Sequence, residues 1–381
     1  MKVLVLTFAL GWGVYPAVLL PGFTETQIAS GLSSPTALTV APDGRVFITE
    51  QGGQLRVVAG GSLLVTPALS LSVDSSGERG LIGVTLDPNF SSNNFIYLQY
   101  TVPGSGPTAP FNRVSRFTMS GNAVAPGSEV IVRDLDPLSG ATNHNGGALR
   151  FGADGRLYVA TGDNANGTNA HTLANQLGKI LRLNPDGTIP SDNPFVSTPG
   201  AIQSIWALGL RNPFQIAVDP LTGGLYINDV GQSSFEEINQ GGAGRNYGWP
   251  ATEGSFNPAS FPNFTNPLYA YDHGVNGGCA ITGGAFSLSG IYYFADFCSG
   301  FIRTFDPNTQ LAAAFASSLP FGLTDLAFSP GQDLYYLFTG NGAGAGGLFL
   351  INFPDAPEVP EPSTFVLTGC AILWGWKKYA G

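Results

Sequence analysis

"PTALTVAPDGRVFITE" runs from Pro35 to Glu50. An apolar run, a Pro-Asp-Gly turn and a second apolar run carrying an aromatic make a hairpin signature. The Asp-Gly pair supplies the turn backbone, and alternation on either side supplies two strand faces. The same unit recurs as "SSNNFIYLQYT" (Ser91–Thr101), "GADGRLYVATGD" (Gly152–Asp163), "LTGGLYINDVG" (Leu221–Gly231), "SLSGIYYFADF" (Ser287–Phe297) and "SPGQDLYYLFTG" (Ser329–Gly340). The marker aromatics are Phe47, Tyr97, Tyr158, Tyr226, Tyr292 and Tyr335. Six hairpins spaced by roughly 45–70 residues predict an all-β, six-bladed β-propeller with four strands per blade. A degenerate seventh blade is one alternative. A β-sandwich is another, but it does not explain a repeated unit. "ANQLGKILRLNPDGTIPSDNPF" (Ala174–Phe195) and Arg245–Gly274 read as long connections between blades.

Composition agrees with a turn-rich β protein. The chain has 381 residues, 43% of them hydrophobic, which is enough for a large core. Its 52 glycines and 28 prolines are spread between the apolar runs, which means many turns rather than disorder. Only 11% of residues are charged and the formal net charge is −10. No basic patch is present, which argues against nucleic acid as a partner.

Both ends read as addresses. Residues 1–22 begin Met1-Lys2 and continue into the apolar "VLVLTFALGWGVYPAVLL", the pattern of a secretory signal or an uncleaved anchor. Residues 23–353 form the expected propeller, 354–362 a Pro/Glu linker and 363–381 an apolar tail. The tail, with Pro360-Glu361-Pro362, an apolar span and Lys377-Lys378, resembles a PEP-CTERM sorting signal. That resemblance implies export to the periplasm or cell surface of a Gram-negative bacterium, processing by exosortase-type machinery, and membrane contact only through the ends. Its apolar span of 12 residues is short for crossing a bilayer.

The chain has three histidines. His144 lies among Asn143, Asn145, Gly146 and Gly147, a polar turn just before a strand. If that strand runs straight, Asp163 at the end of the hairpin returns to the same face. Imidazole and carboxylate would then form a base with its orienting partner. The alternative is a surface-loop histidine. Arg211-Asn212 follows the apolar "SIWALGL" and would present a guanidinium fork at a strand end, or an ordinary rim arginine. The turn after Asn228 could offer main-chain oxygens to a hard cation such as calcium. Glu78-Arg79 reads as a solvated turn. His171 and His273 have no partner pattern and are expected at the surface. No nucleophile elbow, phosphate loop or dinucleotide fingerprint is present.

"APDGRVFITEQGGQLRVV", "ERGLIGVTLDPNF", "NHNGGALRFGADGRLYVATGD", "LGKILRLNPDGTIPSDNPF", "LGLRNPFQIAVDP" and "GRNYGWP" occur in that order. Together they resemble the soluble pyrroloquinoline-quinone (PQQ) sugar dehydrogenases, the glucose/sorbosone dehydrogenase family, from about Pro35 to Leu350. "CAITGGAFSLSGIYYFADFCSGFIRTF" (Cys279–Phe305) is closer to the branch that includes the hedgehog-interacting proteins. There the resemblance implies a Cys279–Cys298 disulfide, which an oxidising compartment also allows.

The family implies PQQ and calcium at the propeller axis. A sugar or alcohol substrate would pass its hydride to the quinone and onward to an electron acceptor. Carried over by motif, His144 would take the hydroxyl proton with Asp163 behind it, and Asn143 and Glu78 would stand in the site wall. Glu78 falls where the glucose enzymes carry glutamine. Arg211 and Asn212 would meet PQQ, and main-chain oxygens of Gly231 and Gln232 would meet calcium. One departure stands out. The glucose enzymes meet the quinone's three carboxylates with a lysine and two arginines from the last blades, and this chain has Cys298, Gly322 and Thr324 there. Between Gly274 and Trp376 its only basic residue is Arg303. A propeller that binds carbohydrate or protein without redox chemistry is therefore the second reading.

Overall fold

The computed structural model describes residues 17–354 except 275–276. Most of the signal-like segment, nearly all of the Pro/Glu linker and the whole sorting-like tail lie outside these residues. The described chain folds into six antiparallel sheets. The inner strands are Pro35–Val40, Leu81–Leu86, Leu149–Phe151, Pro213–Val218, Ile281–Phe286 and Leu323–Phe328, opening blades 1 to 6 in turn. Each touches the inner strands on both sides, and the sixth touches the first, so the ring is closed.

Closure joins the two ends of the fold. Thr24–Leu32 pairs with Gly346–Asn352 from Thr24 opposite Asn352 to Leu32 opposite Gly346, as the outer strand of blade 6. Val18–Leu19 adds an edge to blade 5 beside Leu311–Ser317. Sharing a sheet between the first and last strands leaves no open radial gap.

The core is six separate apolar layers, one between each pair of neighbouring blades. The marker aromatics, one or two residues into the second strands, face the following blade in every blade but the fifth. Phe47 packs toward blade 2, Tyr97 toward blade 3 and Tyr158 toward blade 4. Burial of such a ring contributes roughly 1.5–3 kcal/mol, so the repeat is also the stabilising device. Blade 5 differs from the sequence expectation. Register places Tyr292 opposite Phe286, and its ring faces back to Tyr226 of blade 4, while Tyr293 faces Phe328 of blade 6. With a two-residue side-chain period, the second tyrosine of the pair holds the marker position.

The segment Ala174–Phe195 is not wholly a connection. Lys179–Leu183, buried throughout, is the third strand of blade 3 between Leu157–Thr161 and Ile205–Leu208. The second long segment does run without regular structure until Tyr269–Asp272 closes blade 4.

Candidate active site at the axial cup

Antiparallel pairing decides which loops meet. The residue entering the inner strand lies opposite the end of the second strand in blades 1, 4, 5 and 6, as with Pro213 and Asp229, and within two residues of it in blades 2 and 3. Residues just before inner strands and just after second strands therefore gather at one end of the ring. Glu78, His144, Arg211-Asn212 and Cys279 are of the first kind. Asp163, Gly231-Gln232 and Cys298 are of the second.

His144 and Asp163 are in contact: Nδ1 lies 2.7 Å from Asp163 Oδ1. Trp249 Nε1 donates to Asp163 Oδ2 at 2.8 Å, so both carboxylate oxygens are held. The carboxylate is 1% exposed and the imidazole 8%. With Nδ1–H on the carboxylate, Nε2 keeps the lone pair for an incoming proton. His144 has φ +58°, a left-handed backbone uncommon outside glycine. Its N–H donates to Glu78 Oε2 at 2.8 Å, and its carbonyl accepts from Asn164. A backbone held in a sparsely populated region by such bonds is typical of a positioned functional group. Asn143 stands exposed beside it, and no bond of this network uses its side chain.

Asn212 links the neighbouring loops. Its Oδ1 accepts from Gly146 N–H at 2.9 Å and its Nδ2 donates to Glu78 Oε2 at 3.3 Å. The N–H groups of Arg211 and Asn212 donate to buried Asp229 at 3.0 and 2.7 Å, and burial raises the Asp229 carboxyl well above its ordinary range. Arg211 reaches Gln232 Oε1 at 2.9 Å and the Val230 carbonyl at 3.0 Å, with its guanidinium 5.6 Å from the Trp249 ring. The turn after Val230 wraps one carboxylate oxygen. Gln232, Ser233, Ser234 and Phe235 N–H groups all donate to Glu253 Oε1, at 2.9 to 3.2 Å. With its amides turned to Glu253, this turn has main-chain oxygens to offer a hard cation.

Several supporting residues carry little or no signal in the sequence. Trp249 and Glu253 lie in the long segment after blade 4 and meet their partners only in space. Lys179 does carry one, as a lone lysine opening an apolar strand. It is fully buried, and Nζ donates to the carbonyls of Asn169, Ala170 and Leu177 at 2.6, 3.1 and 2.7 Å. Asn169 in turn donates to the Asp163 carbonyl at 2.9 Å, so Lys179 anchors the loop that carries Asp163. Burial pulls the Lys179 ammonium down to about 7, against the pull of Asp136 and Asp163. Neither remaining histidine is a bare surface group. His273 Nε2 lies 2.6 Å from buried Glu236, and His171 meets Asn246 at 3.3 Å and the Phe264 ring.

At the axis is a cup of about 280 Å³ lined from all six blades. Gln51, Glu78, Asn212, Thr282, Thr324 and Thr339 supply polar groups, and Ile82, Phe214, Val230 and Phe297 supply apolar wall. Glu78 is the one charged side chain of this lining. The cations nearby are turned elsewhere: Arg79 binds Asp74 and two carbonyls, and Arg211 binds Gln232 and Val230. Arg303, on the third strand of blade 5, lies over the Phe301 ring at 4.0 Å. Cys279 and Cys298 are joined as a disulfide beside the lining residues Ala280 and Phe297.

The described residues thus form a six-bladed propeller with a histidine–carboxylate pair near an axial cup. The chain belongs to the glucose/sorbosone dehydrogenase family, whose model matches residues 32–293. It is 34% identical over 236 residues to the aldose sugar dehydrogenase YliI of Escherichia coli K12, covering 60% of this chain and 62% of that one. It is 32% identical over 265 residues to quinoprotein glucose dehydrogenase B of Acinetobacter calcoaceticus, covering 61% and 53%. The mouse hedgehog-interacting protein is 29% identical over 221 residues, covering 51% and 31%. The matches thus span less than two thirds of the length of these curated relatives. The apo crystal structure of the soluble E. coli aldose sugar dehydrogenase superposes with a TM-score of 0.75 at 26% identity, covering 87% of this chain and 99% of that one.

Proposed function

We propose that this chain acts on an aldose or related alcohol at the axial cup, as an exported sugar dehydrogenase of its family. The observation that carries the reading is the 2.7 Å contact of His144 with a carboxylate whose other oxygen is already held by Trp249. A hydroxyl over the cup gives its proton to His144 Nε2, and Asp163 stabilises the imidazolium that forms. Glu78 and Asn212 fix the backbone on either side of the imidazole. Among the described residues no helix is long and apolar enough to cross a membrane.

Oxidation also needs a hydride acceptor. For PQQ with calcium, blade 4 has some of the groups required. Arg211 and Asn212 suit polar edges of the quinone, and the main-chain oxygens of Gly231 and Gln232 suit the ion. The cup as a whole does not suit PQQ. Its lining has one carboxylate and no cation, and a buried carboxylate without a counter-charge is costly. An oxidation here requires an acceptor that tolerates that charge. The same observation favours the second reading, a propeller of this fold that binds carbohydrate or protein without redox chemistry.

One experiment separates the two. Purified propeller, with and without added PQQ and calcium, is assayed for reduction of a panel of dye acceptors with a panel of aldoses, alongside calorimetric sugar binding. Turnover that disappears in His144→Ala supports the dehydrogenase. Sugar binding with no turnover on any aldose selects the binding protein, and neither binding nor turnover rejects the sugar site.

A further inference from the structure

Glu78 gives the cup a charge that its neighbours do not cancel. Its Oε2 accepts both bonds that hold it, from His144 N–H and Asn212 Nδ2. Its Oε1 accepts none among the described residues, and Glu78 forms no ion pair there. The adjoining Arg79 is buried and drawn the other way, with Nη1 2.7 Å from Asp74 and Nη2 on the carbonyls of Ser139 and Ala141. The residue itself is exposed and lines the cup. Asp163, the next acid, is bound to His144 and Trp249. Facing these groups across the cup are Thr282, Thr324 and Thr339, all neutral.

A ligand entering this cup meets one free carboxylate oxygen among uncharged hydroxyl and amide groups. Neutral sugar hydroxyls can bond to it. An ammonium on the sugar ring gains Coulomb attraction as well, and a sugar carboxylate is repelled. We propose that Glu78 makes the cup selective for aldoses bearing a protonated amino group over neutral aldoses, and for neutral aldoses over uronates. The inference rests on the sugar site proposed above and names its substrate class.

The test is calorimetric binding of glucosamine, glucose and glucuronate near pH 6, where an amine is charged. N-acetylglucosamine serves as the uncharged control. Because Glu78 is open to solvent, the expected preference for glucosamine over glucose is about two- to fivefold at low salt. It should vanish with N-acetylglucosamine and fade between about 10 mM and about 500 mM salt. E78Q keeps an oxygen for His144 N–H and should bring the three sugars to similar affinity. Equal affinity for glucosamine and glucose in the unaltered protein overturns the inference and leaves the sugar site standing, as does a preference that survives in E78Q or ignores salt. Failure of all these sugars to bind rejects the site itself.

Discussion

The two halves of the cup are built differently. Blades 2 to 4 bring Glu78, His144, Asp163, Arg211 and Asn212 into one bonded network, of which Glu78 and Asn212 line the cup and the others stand beside it, with Trp249, Glu253 and Lys179 behind. Blades 5, 6 and 1 contribute Thr282, Phe297, Thr324, Thr339 and Gln51, beside a disulfide. On the reading proposed above, the first half holds and moves a proton. The second offers shape and neutral hydrogen bonds. On that reading, proton-handling groups are assembled here around a cup whose lining holds no cation, whereas a tricarboxylate quinone calls for positive charge.

The largest effect that would break this contrast lies in the proton-handling half. His144→Ala should reduce any sugar turnover by about 10²–10⁴-fold while the chain still folds, with a lowered melting transition because buried Asp163 Oδ1 loses its partner. Steady-state rates and a thermal melt together check it, and an unchanged rate removes His144 as base. Behind the network, Lys179→Met leaves three carbonyls without their shared donor. It should lower stability by about 2–3 kcal/mol, read from urea unfolding, with a weaker His144–Asp163 contact seen in the imidazole NMR signals.

The neutral half can be sharpened instead. Thr324→Arg places a guanidinium opposite Glu78, and PQQ affinity should rise at least about tenfold, the effect of one charge-assisted bond. Fluorescence titration checks this, and no gain would mean that more than charge excludes the quinone.

The smallest expected effect concerns pH. Burial pushes Glu237, beneath the Gly231 turn, up to about 7 from an ordinary 4.5. Between those values the folded state holds the proton more tightly than the unfolded chain, so stability falls as pH rises from about 4.5 through about 7. Glu237→Gln should flatten that fall by on the order of 1 kcal/mol, visible as a smaller difference between unfolding midpoints at about pH 5 and about pH 8.

Much of this architecture is legible in the sequence because hairpins are local. Asp-Gly turns and flanking alternation are read within ten or so residues, and six copies count the blades. His144 can be singled out because its turn is polar and glycine-rich, although the assembled ring buries the imidazole to 8% exposure rather than leaving it at the surface. Lys179–Leu183 is hidden by turn signals on both sides, although its apolar run is that of a strand. Tyr292 and Tyr293 cannot be told apart as markers because two adjacent aromatics carry no register of their own. His273 looks unpartnered because Glu236 is 37 residues away in the chain.

Short-range propensity and two-residue periodicity dictate the repeat, so the six hairpins and their turns are written in the order of residues. Other features exist only in the assembled ring: Thr24–Leu32 closing the circle, Trp249 holding Asp163, Glu253 filling the Gly231–Phe235 turn, and Glu78 left without a counter-ion. Each of those depends on where distant loops arrive once the blades are in register, which is a property of the closed ring rather than of any segment within it.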